Sequence, residues 1–230
     1  MIQFSLLMDD KSLGTCAPLE DNAMVSIQEY LQDPCGTLSI PYWKAKSISL
    51  PEDMRIVHRR DFMETLLTEY IDEPYFRLKH DLTQLPPAAL PEQFPFCDAS
   101  DREYADHINR CYVDIRVSPE EVRSWRDRSV FCPDLWLAVR DARTSAIAAT
   151  GIGELDRETG EGVLEWIQVS PDFRGRGLGH CVVVELLRRM KGNAAFATVS
   201  GRCSNPTNPE ILYRRCGFSG TDIWHILRKK

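Results

Sequence analysis

The segment VSPDFRGRGLGH, Val169 to His180, constrains this chain more than any other. Three glycines and an arginine stand within the five residues 175–179, and an apolar run follows at once. Ordering glycine is costly in chain entropy, so three in one loop point to a need for bare backbone. After the loop, Leu178, Val182, Val183, Leu186, Leu187 and Met190 repeat on one helical face that ends before Gly192. Before it, VLEWIQVS (163–170) reads as a strand. A strand, a tight loop and a helix N-terminus together offer free amides and a favourable dipole to an anion. Arg174 and Arg176 add charge-assisted bonds. A diphosphate is the natural guest. Neither common phosphate loop fits. No Lys-Ser/Thr follows, as GxxxxGK[ST] requires, and Gly175-x-Gly177-x-Gly179 lacks the last spacing of GxGxxG.

The rest of the C-terminal part reads as a mixed α/β pattern. FPFC (94–97) is a short strand, and Ser100 with Glu103 forms a capping box ahead of a helix in DREYADHINRCY. Ser118-Pro119 with Glu121 forms another. LWLAVR (135–140), AIAATGIGEL (146–155) and VLEWIQVS make three successive strands, an antiparallel meander that feeds a βαβ unit. AFATV (195–199) and DIWHIL (222–227) are further strands. Between them, Asn208-Pro209 starts a helix that Gly217 closes. TQLPPAALPEQFP, with four prolines, reads as a connector. It divides an N-terminal extension, 1–93, from a domain over 94–230. In the extension, 21–32 and 61–71 have helical spacing, and MRIVH (54–58) and YFRLKH (75–80) read as strands.

Residues 171–230 carry eleven Lys/Arg against four Asp/Glu, a net +7; residues 1–170 carry −13, which leaves −6. A basic last quarter suits a polyphosphorylated ligand, and an acidic body argues against a nucleic-acid partner. No run of eighteen apolar residues exists, so no membrane partner is expected. MIQFSLLMDDK lacks the basic flank of a secretory leader, which makes the cytoplasm the expected location. The eight cysteines form no CxxC pair or zinc spacing, so reduced thiols and no metal are expected.

RGRGLG (174–179) resembles the Arg/Gln-x-x-Gly-x-Gly/Ala signature of the GCN5-related N-acetyltransferase (GNAT) superfamily. NPEILYRRCGF (208–218) is similar to that family's second block, which ends in Leu-Tyr-x-x-x-Gly-Phe. The resemblance spans about 94–230 by element order. It implies a mixed, mostly antiparallel central sheet flanked by helices, here with an N-terminal α/β extension. It implies acetyl-CoA as co-substrate: its diphosphate on Arg174, Gly175, Arg176, Gly177, Leu178 and Gly179, its pantetheine arm along Ile167, Gln168 and Val169. Asn208 has two roles open, touching that arm or capping its helix, and the cap alone accounts for it. The family's asparagine stands seven residues before its tyrosine; that position is Pro206 here, between Asn205 and Asn208.

The activity so implied is N-acetyl transfer to a primary amine of a small molecule or protein, by direct attack. Tyr213 matches the family's tyrosine and would protonate the departing thiolate. The Val169 amide would face the thioester carbonyl. Strict alternation puts Glu165 on the face of Ile167 and Val169, which makes it the candidate base. At an irregular strand position it is instead a surface or salt-bridged glutamate. Glu154, Glu161 and a water chain are the reserves. The alternative is an acyl-CoA-binding module without catalysis. Monomer and homodimer stay open.

Overall fold

Both capping boxes form. The Ser100 hydroxyl accepts the Glu103 amide and the Glu103 carboxylate accepts the Ser100 amide, which starts helix α4 (Asp101–Cys111). Ser118 and Glu121 do the same for α5 (Pro119–Ser124), with Pro119 in its first turn. This computed structural model describes residues 25–47 and 49–230. Cys16 and the first residues of the helix expected over 21–32 lie outside them. The described remainder of that helix is α1 (Ile27–Gln32), followed by the short turns α2 (Pro34–Thr37) and α3 (Tyr42–Ala45).

One eight-stranded sheet runs through the described residues. Its strands are β1 (Met54–His58), β2 (Tyr70–His80), β3 (Phe96–Cys97), β4 (Trp136–Arg140), β5 (Ile147–Asp156), β6 (Glu161–Val169), β7 (Phe196–Arg202) and β8 (Ser219–Lys229). Their spatial order is β1-β8-β2-β7-β6-β5-β4-β3. Every neighbouring pair is antiparallel except β6 and β7, which run parallel. The crossover between those two is helix α6 (Leu178–Met190), the form a parallel pair requires.

The proline-rich break in the sequence is not a break in the sheet. Strand β2 lies between β7 and β8 and pairs with both. The connector runs along α6, where the Lys191 ammonium donates to the Thr83 carbonyl at 2.9 Å and the Cys181 thiol to the Ala89 carbonyl at 3.3 Å. The helical spacing over 61–71 does not form an α-helix. Those residues make 3₁₀ turns at 59–61 and 64–68 and then enter β2. Tyr70 is buried and Ile71 pairs with Arg228, so pairing with β8 overrides local periodicity there.

The sheet separates two cores. On one face α6 buries Leu178, Val182, Val183, Leu186, Leu187 and Met190 against Leu155, Leu164, Ile167 and Val199. Each such side chain stabilises the fold by about 1.5–3 kcal/mol. On the other face α4, α5 and the 3₁₀ turn that follows α5 (Trp125–Asp127) bury Ile108, Val122 and Trp125 against Ile152 and Trp166.

Residues 27–47 are fixed by polar bonds to the sheet. Glu161, fully buried, accepts the Tyr30 hydroxyl at 2.7 Å and the Arg77 guanidinium at 3.0 Å, and also the Thr198 hydroxyl. Arg77, equally buried, also donates to the Tyr30 oxygen, the Pro34 carbonyl and the Ser200 hydroxyl. α1, α2, β2, β6 and β7 thus share one ionic knot. The seven described cysteines are free thiols.

Candidate active site

β6 and β7 pair from Glu161↔Phe196 to Leu164↔Val199 and then separate. Beyond that vertex β7 continues on β2 and β6 on β5, and a gap opens between them. The Ser170 amide donates to Ala148 on β5. With a period of two, the Gln168 amide points to β5 as well, and those of Ile167 and Val169 point into the gap. Two free donors therefore stand about 7 Å apart on the open edge of β6. Their carbonyls are partly engaged: Val169 O accepts Arg174 Nε at 3.3 Å, and Ile167 O accepts the Tyr112 hydroxyl at 3.5 Å.

At the C-terminal end of this edge lies the glycine loop. Gly175 and Gly177 have φ of +76° and +78°, and a Cβ on either would meet nothing within 4 Å. Both therefore turn the chain where other residues are strained and leave open space in front of it. Gly177 is the N-cap of α6 and makes no side-chain cap, so the amides of Leu178, Gly179 and His180 keep no intrahelical partner. Gly179 serves packing instead. A Cβ there would lie 3.2 Å from Leu212 and 3.4 Å from Val169, so its absence lets α6 approach α7 (Pro209–Arg215) and β6.

These elements enclose a cleft of about 500 Å³. Ile167, Gln168, Val169, Arg174, Gly175, Gly177, Leu178, Gly179, Asn208 and Tyr213 line it. Arg176 does not. Its guanidinium rests 5.7 Å from the rings of Phe94 and Phe173. Asn208 sits at the N-cap position of α7 but its side chain makes no cap bond, and its φ of +45° is left-handed. The capping role expected of it is therefore corrected. The Asn205 carboxamide holds the preceding turn by accepting the Thr207 amide and hydroxyl. Tyr213 packs at ring distances of 6.2 Å from Phe76 and 5.9 Å from Phe218. Burial pushes its phenol far above the ordinary value, so it is protonated across the working pH range.

Strict alternation fails at Glu165. The β5–β6 register jumps from Ile152↔Trp166 to Gly153↔Leu164, which leaves Glu165 in a bulge. Leu164 and Ile167 belong to the α6 core and Trp166 to the α5 core. Glu165 is turned away from the face of Ile167 and Val169, which corrects the expectation. It does not line the cleft; Lys44 Nζ lies 3.2 Å from its Oε1, and both residues are under 9% exposed. On β5, Glu154 shares the face of Ile152 and pairs with Arg128 at 3.0 Å. Burial, then the Glu165 charge, lifts the Glu154 carboxyl to about 7 against the pull of Lys44 and Arg128. Glu161, the other reserve, is held in the ionic knot.

Two features escaped the sequence reading. Tyr112 ends α4, lines the cleft and stands with its ring 5.9 Å from that of Trp166. Under Gln168 lies a buried chain: Gln168 Nε2 donates to Thr150 Oγ1 at 2.6 Å, and His107 joins Thr150 Oγ1 at 2.9 Å to Ser170 Oγ at 2.8 Å. Ser170 then donates to the Ile147 carbonyl. Burial holds His107 down at about 4, so it stays neutral. No local pattern announces either feature, because the partners lie 18 to 63 residues apart.

Residues 133–220 match the family model described as an acetyltransferase (GNAT) domain. No curated protein sequence matches the chain. A GCN5-related N-acetyltransferase from Sphaerobacter thermophilus superposes with a TM-score of 0.63 at 20% identity, covering 82% of this chain and 64% of its own. One from Kribbella flavida gives 0.52 at 14%, over 76% and 67%. A GNAT-family acetyltransferase from Colwellia psychrerythraea gives 0.54 at 13%, over 76% and 64%. The chain thus spans less than two thirds of the Sphaerobacter protein's length. At these identities the likeness is one of fold, and the family match rests on the β4–α7 segment that builds the cleft. Residues 133–220 thus match an acetyltransferase (GNAT) domain, within a fold that the chain shares with GNAT-family structures.

Proposed function

We propose that the chain transfers an acetyl group from acetyl-CoA to a primary amine. The observation that carries this reading is the open edge of β6, which leads without interruption from the glycine loop to the Tyr213 side chain. The loop fits a diphosphate: two left-handed glycines with free space in front of them precede a helix start with unpaired amides. The Ile167 amide and the open edge of β6 fit an extended pantetheine arm, by the pairing that adds a strand to a sheet edge. Arg174 lines the same cleft.

Acetyl-CoA supplies an activated acyl carbon, so no covalent enzyme intermediate is needed. The amine nitrogen forms a bond to that carbon and the carbon–sulfur bond breaks. The nitrogen's proton passes to water, because Glu165 does not line the cleft while Lys44 holds it. Val169 N–H holds the carbonyl oxygen as charge gathers on it. Tyr213, kept protonated by burial, gives its proton to the departing sulfur and regains one from solvent.

The test is thiol release from acetyl-CoA over a panel of amines. Tyr213→Phe is expected to lower kcat by about 100-fold, the low end for loss of a general acid, with coenzyme affinity unchanged. Binding without turnover on any amine, indifferent to Tyr213→Phe, is the result expected of a non-catalytic acyl-CoA-binding module.

A further inference from the structure

The face of β6 away from α6 holds a second group of chemistry-bearing side chains. Glu165 is the first residue past the last β6–β7 pair, at the vertex of the opening and two residues before the Ile167 amide. Its partner Lys44 comes from α3, more than a hundred residues away in sequence. The Lys44 ammonium also stands 5.2 Å from the ring centre of Trp43. The Arg128 guanidinium, bonded to Glu154, lies 5.9 Å from Trp43 and 5.5 Å from Trp125. Trp125 in turn stacks on Trp166 at 5.3 Å. The Lys44 head thus lies between Glu165 and Trp43, and the neighbouring Arg128 links Trp43 to Glu154 and Trp125.

This enclosure is not internally complete. Trp43 Nε1, Trp166 Nε1 and one oxygen of Glu154 are buried with no hydrogen-bond partner. Buried polar atoms without partners are uncommon in a part of a protein that serves packing alone. Together they are two donors and an acceptor on the side chains of this group.

We infer that this enclosure is the acceptor site of the acetyl transfer, that it takes a primary alkylammonium on an aliphatic stem, and that Lys44 holds the place of that ammonium. The inference rests on the acetyl-transfer reading of the cleft. A lysine side chain is itself such an ammonium, and Glu165 and Trp43 receive it by ion pairing and cation–π contact. Glu165 is then both the anchor for the incoming cation and the acceptor of its proton. An external amine must displace Lys44, so its apparent affinity is reduced by the fraction of molecules in which Lys44 has withdrawn.

The experiment uses the full chain with Lys44→Ala and n-butylammonium chloride. Added butylammonium is expected to raise the melting temperature of the variant in a saturable way. It should leave the wild type unmoved, and Lys44→Ala combined with Glu165→Gln unmoved. Tetramethylammonium, with no N–H to give, should not substitute. If Lys44→Ala does not fold unaided, recovery of folded protein in butylammonium is the readout. Equal responses of variant and wild type, or no recovery, overturn the site. The acceptor role is read separately: KM for n-butylamine should fall at least about tenfold in Lys44→Ala. Rescue of stability with an unchanged KM overturns the acceptor role. A wild type that fails to bind coenzyme A defeats the acetyl-transfer reading instead and leaves butylammonium rescue as it was.

Discussion

Gly177→Asp is expected to weaken coenzyme A binding on the order of 100-fold, equivalent to roughly 2–3 kcal/mol, while the protein stays folded. A Cβ at Gly177 would meet no protein atom within 4 Å, so the substitution creates no internal clash. The φ of +78° costs an L-residue about 1–2 kcal/mol, and aspartate is among the residues that tolerate this region best. The large effect falls on the ligand. The new carboxylate occupies the space in front of the α6 amides and sets a negative charge where a diphosphate would lie. Gly177→Ala carries the backbone cost without the charge, and is expected to lie between wild type and Gly177→Asp. Isothermal titration calorimetry with coenzyme A, beside a melting curve for each protein, separates the two contributions. A folded Gly177→Asp chain that binds as tightly as the wild type means that the diphosphate is held elsewhere.

The second large effect is on stability. Arg77→Leu is expected to cost about 3–5 kcal/mol, the range for removing one partner of a buried ion pair. Both partners are almost wholly buried, Arg77 at 1% and Glu161 at 0% exposure. Removal of the guanidinium leaves a carboxylate without its counter-charge and leaves the Pro34 carbonyl without its donor. At about 2–4 °C per kcal/mol for a chain of this size, the melting temperature falls by roughly 6–20 °C. Replacing both partners with apolar residues, Arg77→Met with Glu161→Leu, is expected to recover most of the loss, because no lone charge remains. Denaturant unfolding of the wild type, Arg77→Met, Glu161→Leu and the double variant completes the cycle. A single variant that melts with the wild type would show that the knot does not hold residues 27–36 to the sheet.

The sequence was most legible where local chemistry decides the outcome. Ser100, Ser118, Pro119 and the apolar face from Leu178 to Met190 each specify a helix end or a buried stripe within a few residues. The elements over 94–230 accordingly lie close to where the patterns put them. The glycine loop was legible for the same reason, though its three glycines divide their work between backbone turning and close packing.

What stayed hidden is non-local. Nothing in YFRLKH says that its strand will sit between β7 and β8, since pairing partners are chosen by the whole sheet. The helical spacing over 61–71 lost to that same pairing. Glu165 was misplaced by one bulge residue, which reverses the face of a side chain whose period is two. Lys44 had no signal of its own; a lysine in YWKA reads as solvated surface until the fold brings Glu165 to it. Tyr112 was likewise visible only as the end of a helix.

The most direct test of the central claim is the structure of the full chain bound to coenzyme A. The account predicts diphosphate oxygens within hydrogen-bond distance of the amides between Gly175 and His180. It also predicts the pantetheine arm paired with Ile167 on the open edge of β6 and the thiol sulfur beside the Tyr213 hydroxyl. A coenzyme lodged away from the gap between β6 and β7, with those amides left to solvent, would contradict it.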